Sequence, residues 1–385
     1  MTLSSSSRRR PRVLHCVSHL ALGGAERVAV TLMESLHDDF DFSVHAVRGL
    51  DDGAVGASLN KQLSALNIPL VIGPRIPMRF GGMISGGLGL AKAVRRFRPE
   101  LIHLHTEIPE ASYAAMVQLF PQLRKIPLVR TIHNAVIWKF WPALGRACDR
   151  RMPQAAVVGV SNDAAGAFLN LRARSGAKSP ARAAVTIYNG VRAPVVRGTP
   201  RETDQVIRMV YGGRFEPEKG TDLLPEILAR TQLPSGLRAH LTIHGSGRHE
   251  LALRWLARNA PAGWTVEVRP PVANFSEQLG NFDIALVPSR HEGLALVAVE
   301  SILAGIQVVA TDAAGLREAL PASHPWWARA GDPASFAAAL QYACANRERW
   351  PAIAEKEHAF ALERFSLNKM AAEYRALYES VLEIS

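Results

Sequence analysis

Two glutamates eight residues apart are the most specific chemical feature of the segment SRHEGLALVAVESILAG, residues 289–305. A short apolar run precedes them, which places Glu292 at a strand-to-helix turn and Glu300 inside an apolar helix. Along one helix they would lie ~12 Å apart with an ~80° rotation between them, so they could hold two ends of an extended ligand. Amides near residues 293–296 would attract an anion. A charged residue such as Glu300 is rarely buried in an apolar helix unless it has a partner or a function, so we interpret it as a ligand-binding residue and not as a chance buried glutamate.

Two cations accompany a pair of glycines in YGGRFEPEKG, residues 211–220, which follows a predicted strand. Gly213 lets the backbone approach a ligand, while Arg214 and Lys219 add a planar guanidinium and a compact point charge at the same sheet edge. A guanidinium, which can donate two parallel hydrogen bonds, and an ammonium, which adds a second positive charge, together suit a diphosphate. Two glutamates of the same segment, Glu216 and Glu218, could instead pair with these cations.

Glycine turns follow two further predicted strands. LALGGAERV (20–28) puts Gly23 and Gly24 between the first strand and a helix, which is the phosphate-facing position of a doubly wound sheet. Gly245 provides a weaker signal of the same kind in the second half. The first turn lacks the GxGxxG spacing and no acid ends the second strand, which argues against a nicotinamide dinucleotide.

Histidines lie on two neighbouring predicted strands. His133 ends one of them, where it could contact a ligand or serve as a satisfied structural histidine. His103 and His105 share one face of the other strand, but together with His133 they lack a clear further ligand. The DFD sequence at 39–41 formally matches a metal–diphosphate motif, yet its place between a helix and a strand predicts a solvated loop. No metal and no cofactor are therefore expected.

Short apolar runs alternate with helical patterns along the chain, which predicts an α/β fold with parallel sheets covered by helices. Residues 192–205, polar and with two prolines, predict a linker between two such domains, and a cleft between domains is a common ligand site. Residues 365–382 predict a packed amphipathic helix. The predicted strands lie at 12–18, 42–48, 69–72, 101–105, 128–133, 155–160, 185–188, 207–212, 240–245, 265–269, 284–288 and 307–311.

The charge of the 385-residue chain is unevenly distributed. Its net charge of +11 divides into +14 for residues 1–200 (26 Lys+Arg, 12 Asp+Glu) and −3 for residues 201–385 (19 Lys+Arg, 22 Asp+Glu). The basic half predicts an anionic partner: nucleic acid, a phosphorylated small molecule or a membrane surface. With 48% hydrophobic residues the chain is not disordered, and three widely spaced cysteines predict a reducing, cytoplasmic compartment.

Taken together, these motifs resemble the glycosyltransferase family 4 group of retaining GT-B enzymes. The resemblance covers nearly the whole chain and implies two Rossmann-like domains that face a central cleft, with a C-terminal helix crossing back to the first domain. The implied division is a basic tail (1–10), an acceptor-binding domain (11–195), a nucleotide-sugar-binding domain (196–364) and the last helix (365–385). The matching segments are GGAE (23–26), HLHTE (103–107), TIHN (131–134), VGVSN (158–162), YNGV (188–191), GRFEPEKG (213–220), EGLALVAVESILAG (292–305) and VVATDAAG (308–315).

The family pattern implies a role for each matched residue. Arg214 and Lys219 would neutralise the donor diphosphate, and Glu300 would bind the ribose hydroxyls. Glu292 would hold the transferred sugar, and His133 would contact that sugar near the reacting carbon. The substrate-binding backbone and remaining contacts would come from Gly23, Gly24, Gly213, Gly245, Gly293, Leu294 and Ala295. At the last two positions the family often has an aromatic residue and a glycine, so the methyl group of Ala295 could alter donor choice.

The resemblance also implies a mechanism and an acceptor. The departing phosphate oxygen would take the acceptor proton, so configuration would be retained with no enzyme nucleophile and no metal. Aromatic residues interleave with basic ones at 136–152, and 91–98 is a second basic cluster, which suits a lipid-linked acceptor at an anionic membrane, as in lipopolysaccharide or exopolysaccharide assembly. Two alternatives remain open: a relative that binds or epimerises a nucleotide sugar without transfer, and a nucleic-acid-binding protein.

Overall fold

The structure, a computed structural model, describes residues 9–21, 23–77, 80–176, 184–193 and 205–383. Thirteen strands in these residues form two sheets, and every pairing is parallel. The strands are β1 (Arg12–Val17), β2 (Asp41–Ala46), β3 (Leu70–Ile72), β4 (Leu101–His105), β5 (Leu128–Ile132), β6 (Ala156–Gly159), β7 (Val185–Thr186), β8 (Val206–Gly212), β9 (Arg238–His244), β10 (Trp264–Arg269), β11 (Ile284–Val287), β12 (Gln307–Thr311) and β13 (Trp327–Ala328).

Helices connect these strands and cover both sheets. Strand order is β3-β2-β1-β4-β5-β6-β7 in the first sheet and β10-β9-β8-β11-β12-β13 in the second, the doubly wound arrangement. The helices are α1 (Gly24–Leu36), α2 (Ala54–Ala65), α3 (Gly82–Phe97), α4 (Glu107–Leu119), α5 (Pro142–Asp149), α6 (Asn162–Ser175), α7 (Leu224–Arg230), α8 (Glu250–Arg258), α9 (Phe275–Gln278), α10 (Leu296–Leu303), α11 (Leu316–Ala319), α12 (Pro333–Ala345), α13 (Trp350–Arg364) and α14 (Leu367–Glu383).

The predicted fold class is confirmed: two Rossmann-like α/β domains face each other in a GT-B arrangement. Each predicted strand is present, with ends that differ by one or two residues, and only the two-residue β13 was missed because it is too short for a periodic pattern. Most of the predicted basic tail (residues 1–8) and of the predicted linker (194–204) lies outside the described residues. None of the helices in the described ranges has both the length and the apolar character needed to cross a bilayer.

The last helix, α14, packs on the first sheet, as the sequence predicted. Its residues Met370, Tyr374 and Tyr378 are buried in the same core cluster as β1 and α1. The helix also explains the DFD sequence at 39–41, because Arg375 donates to Asp39 (Nε–Oδ2 3.0 Å) and Phe40 is buried. The expectation of a solvated loop is therefore only partly right: this segment anchors α14.

A buried ionic network supports strand β5, which leads directly into His133. Arg130 is fully buried, with Nε 3.0 Å from Glu110 Oε1 and Nη1 2.8 Å from Asp149 Oδ1. Arg172 donates to both oxygens of Asp149, at 3.1 and 2.8 Å. Burial alone would raise the pKa of Asp149, but hydrogen bonds from Arg172 and the charge of Arg130 hold it below its usual value.

Replacing the shared acid should destabilise this domain strongly. We expect Asp149→Ala to lower the free energy of unfolding by about 3–5 kcal/mol, because two buried guanidinium groups lose their common partner. Urea denaturation measures the change, with the exposed Asp52→Ala as matched control. A loss below about 1 kcal/mol would show that the network contributes little.

Candidate active site

All twelve residues that the sequence assigned to the site line one cleft between the carboxyl edges of the two sheets. The cleft has a volume of about 520 Å³, within the usual range for small-molecule sites. The first sheet contributes the loops that follow β1, β4 and β5, and the second contributes those that follow β8, β9 and β11. The twelve residues are Gly23, Gly24, His133, Gly213, Arg214, Lys219, Gly245, Glu292, Gly293, Leu294, Ala295 and Glu300.

The two sheets meet at the floor of the cleft through backbone contact. A Cβ at Gly293 would lie 2.0 Å from the carbonyl oxygen of His133, so only glycine allows this approach. The amide of Ala135 donates to the carbonyl oxygen of Glu292 at 3.3 Å. The loop before α10 therefore rests directly on the loop after β5, which holds His133 beside Glu292.

The position of Glu292 corrects one expectation. Helix α10 begins at Leu296, so Glu292 lies in the preceding loop and only Glu300 is helical. The spacing calculated along one continuous helix is therefore wrong, because the chain turns between the two acids. Leu294 and Ala295 are buried in a core cluster that contains residues of both domains, and they also line the cleft directly before α10 starts.

The predicted cations are paired with acids of their own domain. Lys219 Nζ lies 2.8 and 2.7 Å from the two carboxylate oxygens of Glu292, and Ser289 Oγ donates to Oε1 of the same group at 2.7 Å. Arg214 Nη2 is 3.0 Å from Glu218 Oε1, which is one of the pairings that the sequence left open. Arginine has five donor hydrogens and lysine three, so both keep donors for an anion.

Glu300 is held from the opposite domain by a residue that the sequence reasoning missed. Its Oε1 accepts from Nη2 of Arg27 at 2.9 Å, and Glu300 itself is buried. Arg27 lies on α1, three residues after Gly24. A cation so close to the predicted phosphate-facing glycine turn was the one feature of the sequence that could have identified it. This ion pair links α1 to α10 across the cleft.

Two glycine turns of the second domain pack backbone on backbone. A Cβ at Gly245 would lie 1.9 Å from the carbonyl oxygen of Gly213, and the amide of Gly213 donates to His244 at 3.0 Å. The predicted role of these glycines, close approach of the backbone to a ligand, is not tested by this contact. The contact does explain why a glycine follows β9, since a Cβ at position 245 would collide with the backbone of Gly213.

His133 lies at the wall of the cleft, with Nε2 3.0 Å from Nδ1 of His105. Burial lowers the pKa of His133 to about 3, so its ring is neutral at pH 7. His103 and His105 are fully buried, and together with His15 they bring three ring nitrogens within 4.8 Å of one another. The grouping therefore includes His15 rather than His133, and its members hydrogen-bond to one another or to neighbouring hydroxyls.

The aromatic and basic segment at 136–152 is divided by the fold. Trp138 is buried, and its amide donates to Glu107 Oε1 at 2.6 Å, so it belongs to the core and not to an interface. Phe140 and Trp141 are 85% and 47% exposed. Periodicity could not separate these roles, because Trp138 has a left-handed backbone (φ 53°), which interrupts any regular helix or strand pattern at this position.

Glu26 is a second cleft residue that the sequence reasoning did not assign. It is 7% exposed, and burial raises its pKa to about 7, although its own backbone amide and the charge of Arg214 act in the opposite direction. Its side chain fills the space that a Cβ at Gly23 would need. A carboxyl group therefore titrates near neutrality beside the predicted diphosphate site.

This titration predicts a pH-dependent stability. Because the folded-state pKa of Glu26 lies above the value of about 4.5 in an unfolded chain, stability should be greatest below that pH and fall as pH rises towards 7. Because glutamine carries no charge, the free energy of unfolding of Glu26→Gln should exceed that of the wild type by about 3 kcal/mol at pH 8 and differ little from it at pH 5. Urea denaturation at both pH values measures it, with exposed Asp38→Asn as control; equal effects at the two pH values would contradict the assignment.

Two family models match the two halves of the chain. The model described as Glycosyltransferase Family 4 matches residues 22–193, and the model described as Glycosyl transferases group 1 matches residues 207–346. A D-inositol 3-phosphate glycosyltransferase from Geodermatophilus obscurus is 32% identical over 194 residues, which is 47% of this chain and 43% of that protein. The chain spans about half the length of the curated relatives it matches.

Solved structures share the fold at low identity. Anabaena Alr3699/HepE, crystallised with UDP and glucose, superposes with a TM-score of 0.76 at 20% identity and covers 96% of this chain and 100% of its own. WaaG, a glycosyltransferase involved in lipopolysaccharide biosynthesis, gives 0.69 at 15% identity over 94% of this chain and 99% of its own. With the two family models on its two halves and this fold throughout, the chain belongs to the glycosyltransferase family 4 (glycosyl transferases group 1) proteins of GT-B fold.

Proposed function

We propose that this protein is a retaining, metal-independent glycosyltransferase that moves a sugar from a UDP- or GDP-linked donor to a glycan or lipid-linked acceptor. The observation that carries the proposal is the convergence of Arg214, Lys219, Glu292, Glu300 and His133 on one cleft between two parallel sheets. In α/β proteins such sheet edges hold ligands at the carboxyl ends of the strands. The bound UDP and glucose of Alr3699/HepE are ligands of that protein and support the donor class by similarity of fold.

The cations and the start of α10 suit the departing diphosphate. Cleavage of the sugar–phosphate bond adds negative charge to the nucleoside diphosphate, and fixed donors in a water-poor cleft stabilise that charge without reorganisation. Arg214 and Lys219 retain free N–H groups for it, and the first amides of α10 have no partners within the helix. These groups would perform the neutralising role that a metal performs elsewhere.

Glu292 would position the sugar without attacking it. Both of its oxygens are within 2.8 Å of Lys219, and Oε1 also accepts from Ser289, which leaves the carboxylate held and its charge compensated. A nucleophile needs a free lone pair aimed at the reacting carbon. The arrangement supports the route in which the leaving phosphate oxygen takes the acceptor proton on the face from which it departs.

The ribose would bind at Glu300, where the ion pair to Arg27 must be shared or released. One carboxylate oxygen contacts Arg27 Nη2, so a ribose diol entering the cleft would compete with a cation of the first domain. Nucleotide binding is therefore expected to change the contact between α1 and α10. Such a change would trigger the domain closure that excludes water from the reaction.

Donor binding and turnover test this function directly. UDP, GDP, ADP and CMP are screened by thermal shift, and labelled sugars of the stabilising nucleotide then serve as donors. We expect Lys219→Ala and Glu300→Ala each to lower kcat/KM by ~10²-fold, because each loses a contact to the donor, whereas the exposed Lys61→Ala should be neutral. Near-normal transfer by a folded double variant would contradict the proposal.

Two other experimental results would support a different function for this protein. Isomerised donor without transfer would identify an epimerase, and salt-sensitive binding of nucleic acid at physiological ionic strength would revive that alternative for the basic half.

The acceptor is proposed to be carried by lipid, with the protein peripheral to the cytoplasmic membrane face and active in lipopolysaccharide or exopolysaccharide assembly. Helix α3 exposes Ile84 (54%) and Leu88 (49%) one turn apart, and its last turns expose Lys92, Arg95 and Arg96. Apolar side chains followed by cations on one helix suit the boundary of an anionic bilayer. The lipopolysaccharide role of WaaG, a protein of the same fold, supports this context.

Flotation with anionic liposomes tests the membrane proposal. We expect binding at low salt that weakens at moderate salt, and at least a fivefold reduction in Ile84→Asp/Leu88→Asp, because a charge replaces each apolar contact. Leu251→Asp/Trp255→Asp is the matched control, since it changes two apolar residues on α8 of the other domain that are even more exposed, at 84% and 61%. Failure to bind at either salt concentration would end the membrane proposal without affecting the donor assay.

A further inference from the structure

A continuous chain of hydrogen bonds runs from the cleft through the first sheet to helix α14. His133 Nε2 meets His105 Nδ1 at 3.0 Å, and His105 Nε2 meets His15 Nδ1 at 3.0 Å. His15 Nε2 is 3.2 Å from the hydroxyl of Tyr378, which is 2.6 Å from Nδ1 of His103. The chain thus joins strands β1, β4 and β5 to α14.

The far end of the chain is formed by two hydroxyls. His103 Nε2 is 2.7 Å from Oγ1 of Thr131, and that oxygen is 2.9 Å from the hydroxyl of Tyr374. All members except His133 are fully buried, so water does not complete their hydrogen bonding. Every ring nitrogen of His15, His103 and His105 is used within the chain.

A neutral histidine has one N–H donor and one acceptor nitrogen, so the tautomer of each ring sets that of its neighbour. The rings are neutral because burial lowers the pKa of His15 to about 3 and those of His103 and His105 well below the usual value. Because the hydroxyls of Tyr378 and Thr131 are buried, each must donate one of its two hydrogen bonds and accept the other, and the series of hydrogen bonds can then be polarised in only two ways. All four histidines carry the proton on Nδ1, or all four carry it on Nε2.

The tyrosine at the far end selects one of these two directions. Within the described part of the chain, the hydroxyl of Tyr374 has Thr131 as its one hydrogen-bond partner. If Thr131 donated to it, the buried tyrosine proton would have no acceptor, which costs more than an unused oxygen lone pair. Tyr374 therefore donates to Thr131, and Thr131 donates to Nε2 of His103.

The remaining steps follow from the inventory of donors. His103 then donates through Nδ1 to Tyr378, and Tyr378 donates to Nε2 of His15. His15 donates through Nδ1 to His105, and His105 donates through Nδ1 to Nε2 of His133. That nitrogen is an acceptor, so the single proton of the His133 ring must reside on Nδ1.

We propose that this buried chain fixes His133 as the Nδ1–H tautomer and so makes it a permanent hydrogen-bond donor to the ligand in the cleft. Nδ1 makes no hydrogen bond to any described residue, and the side chain lines the cleft. His133 is then not a general base, because its one basic nitrogen is occupied by His105. Its proton suits an oxygen of the donor sugar or phosphate, a role that rests on the proposed function, whereas the tautomer itself does not.

Tyr378, His15 and His105 act on this site as positioning residues through His133. Tyr378 lies in the middle of this series of hydrogen bonds. Its hydroxyl accepts from His103 and donates to His15, so the donor direction set at Tyr374 and Thr131 continues to His15, His105 and His133. Without this hydroxyl, Nε2 of His15 has no donor and both polarities of the remaining three rings become closer in free energy.

Nuclear magnetic resonance of the full chain with ¹⁵N-labelled histidine tests the proposal. We expect the unliganded wild-type protein to show Nδ1–H tautomers for His133, His105, His15 and His103, with His133 assigned through His133→Gln. Tyr378→Phe should leave Nδ1–H as the major tautomer of His133, because an unused lone pair on His15 costs less than a buried N–H without an acceptor, but it should raise the minor Nε2–H population and lower kcat by at most about twofold with little change in donor KM. Tyr113→Phe is the control, because it removes a buried hydroxyl of the same domain that takes no part in this series of hydrogen bonds.

An Nε2–H tautomer at His133 in the wild type would overturn the proposal, as would a predominantly Nε2–H tautomer of His133 in Tyr378→Phe. If Tyr378→Phe does not fold, the wild-type spectrum alone decides. If no nucleotide sugar supports transfer, the proposed function fails while the tautomer assignment is still tested, so the two failures are distinguishable.

Discussion

The backbone contact between Gly293 and His133 is the constraint around which this molecule is arranged. It brings the carboxyl edge of one parallel sheet against that of the other with no side chain between them. The start of α10, the carboxylate of Glu292 and the ring of His133 are thereby placed around one cleft. A larger residue at position 293 would separate the domains at the point where their functional groups meet.

Charge pairing within the cleft is the second organising principle. Lys219 with Glu292, Arg214 with Glu218 and Arg27 with Glu300 give three pairs of opposite sign at the walls of the cleft. Pairing lowers the cost of holding these ions in a partly desolvated cleft. It also means that an anionic ligand enters by sharing donors that already have partners. The +14 charge of residues 1–200 therefore concerns surfaces such as α3 more than the cleft itself.

Buried polar groups of the first domain form two separate systems with different consequences. The Arg130 network balances full charges and supports the strand that ends at His133. The histidine and tyrosine chain is neutral, so it transmits hydrogen-bond polarity and not charge. Both systems depend on long-range contacts, because Asp149 comes from α5 and Tyr374 and Tyr378 come from α14. Helix α14 is thus part of the domain that holds the site, although it is last in sequence.

Much of this could be read from local patterns. Apolar runs of four to seven residues locate the strands because a strand covered on both faces must be apolar throughout. The predicted site residues converge because nearly all of them lie in the turns that follow strands, and parallel strands end at one edge; Glu300 reaches the same cleft from helix α10. Metal independence, retention and the individual residue roles remain proposals, since a sequence pattern indicates them only through the family.

Local patterns could not show which groups face each other. The pairing of Arg27 with Glu300 joins residues 273 positions apart, and the chain from His133 to Tyr378 joins four separate elements. Trp138 is buried whereas the nearby Phe140 and Trp141 are exposed, and Glu292 lies outside the helix because α10 starts later than the apolar pattern suggests. The sequence by itself determined the elements, their order and the residues at the sheet edges, since these follow from hydrophobic periodicity. Only the tertiary structure decided partners, protonation and burial, because those depend on distances between segments that the chain does not encode locally.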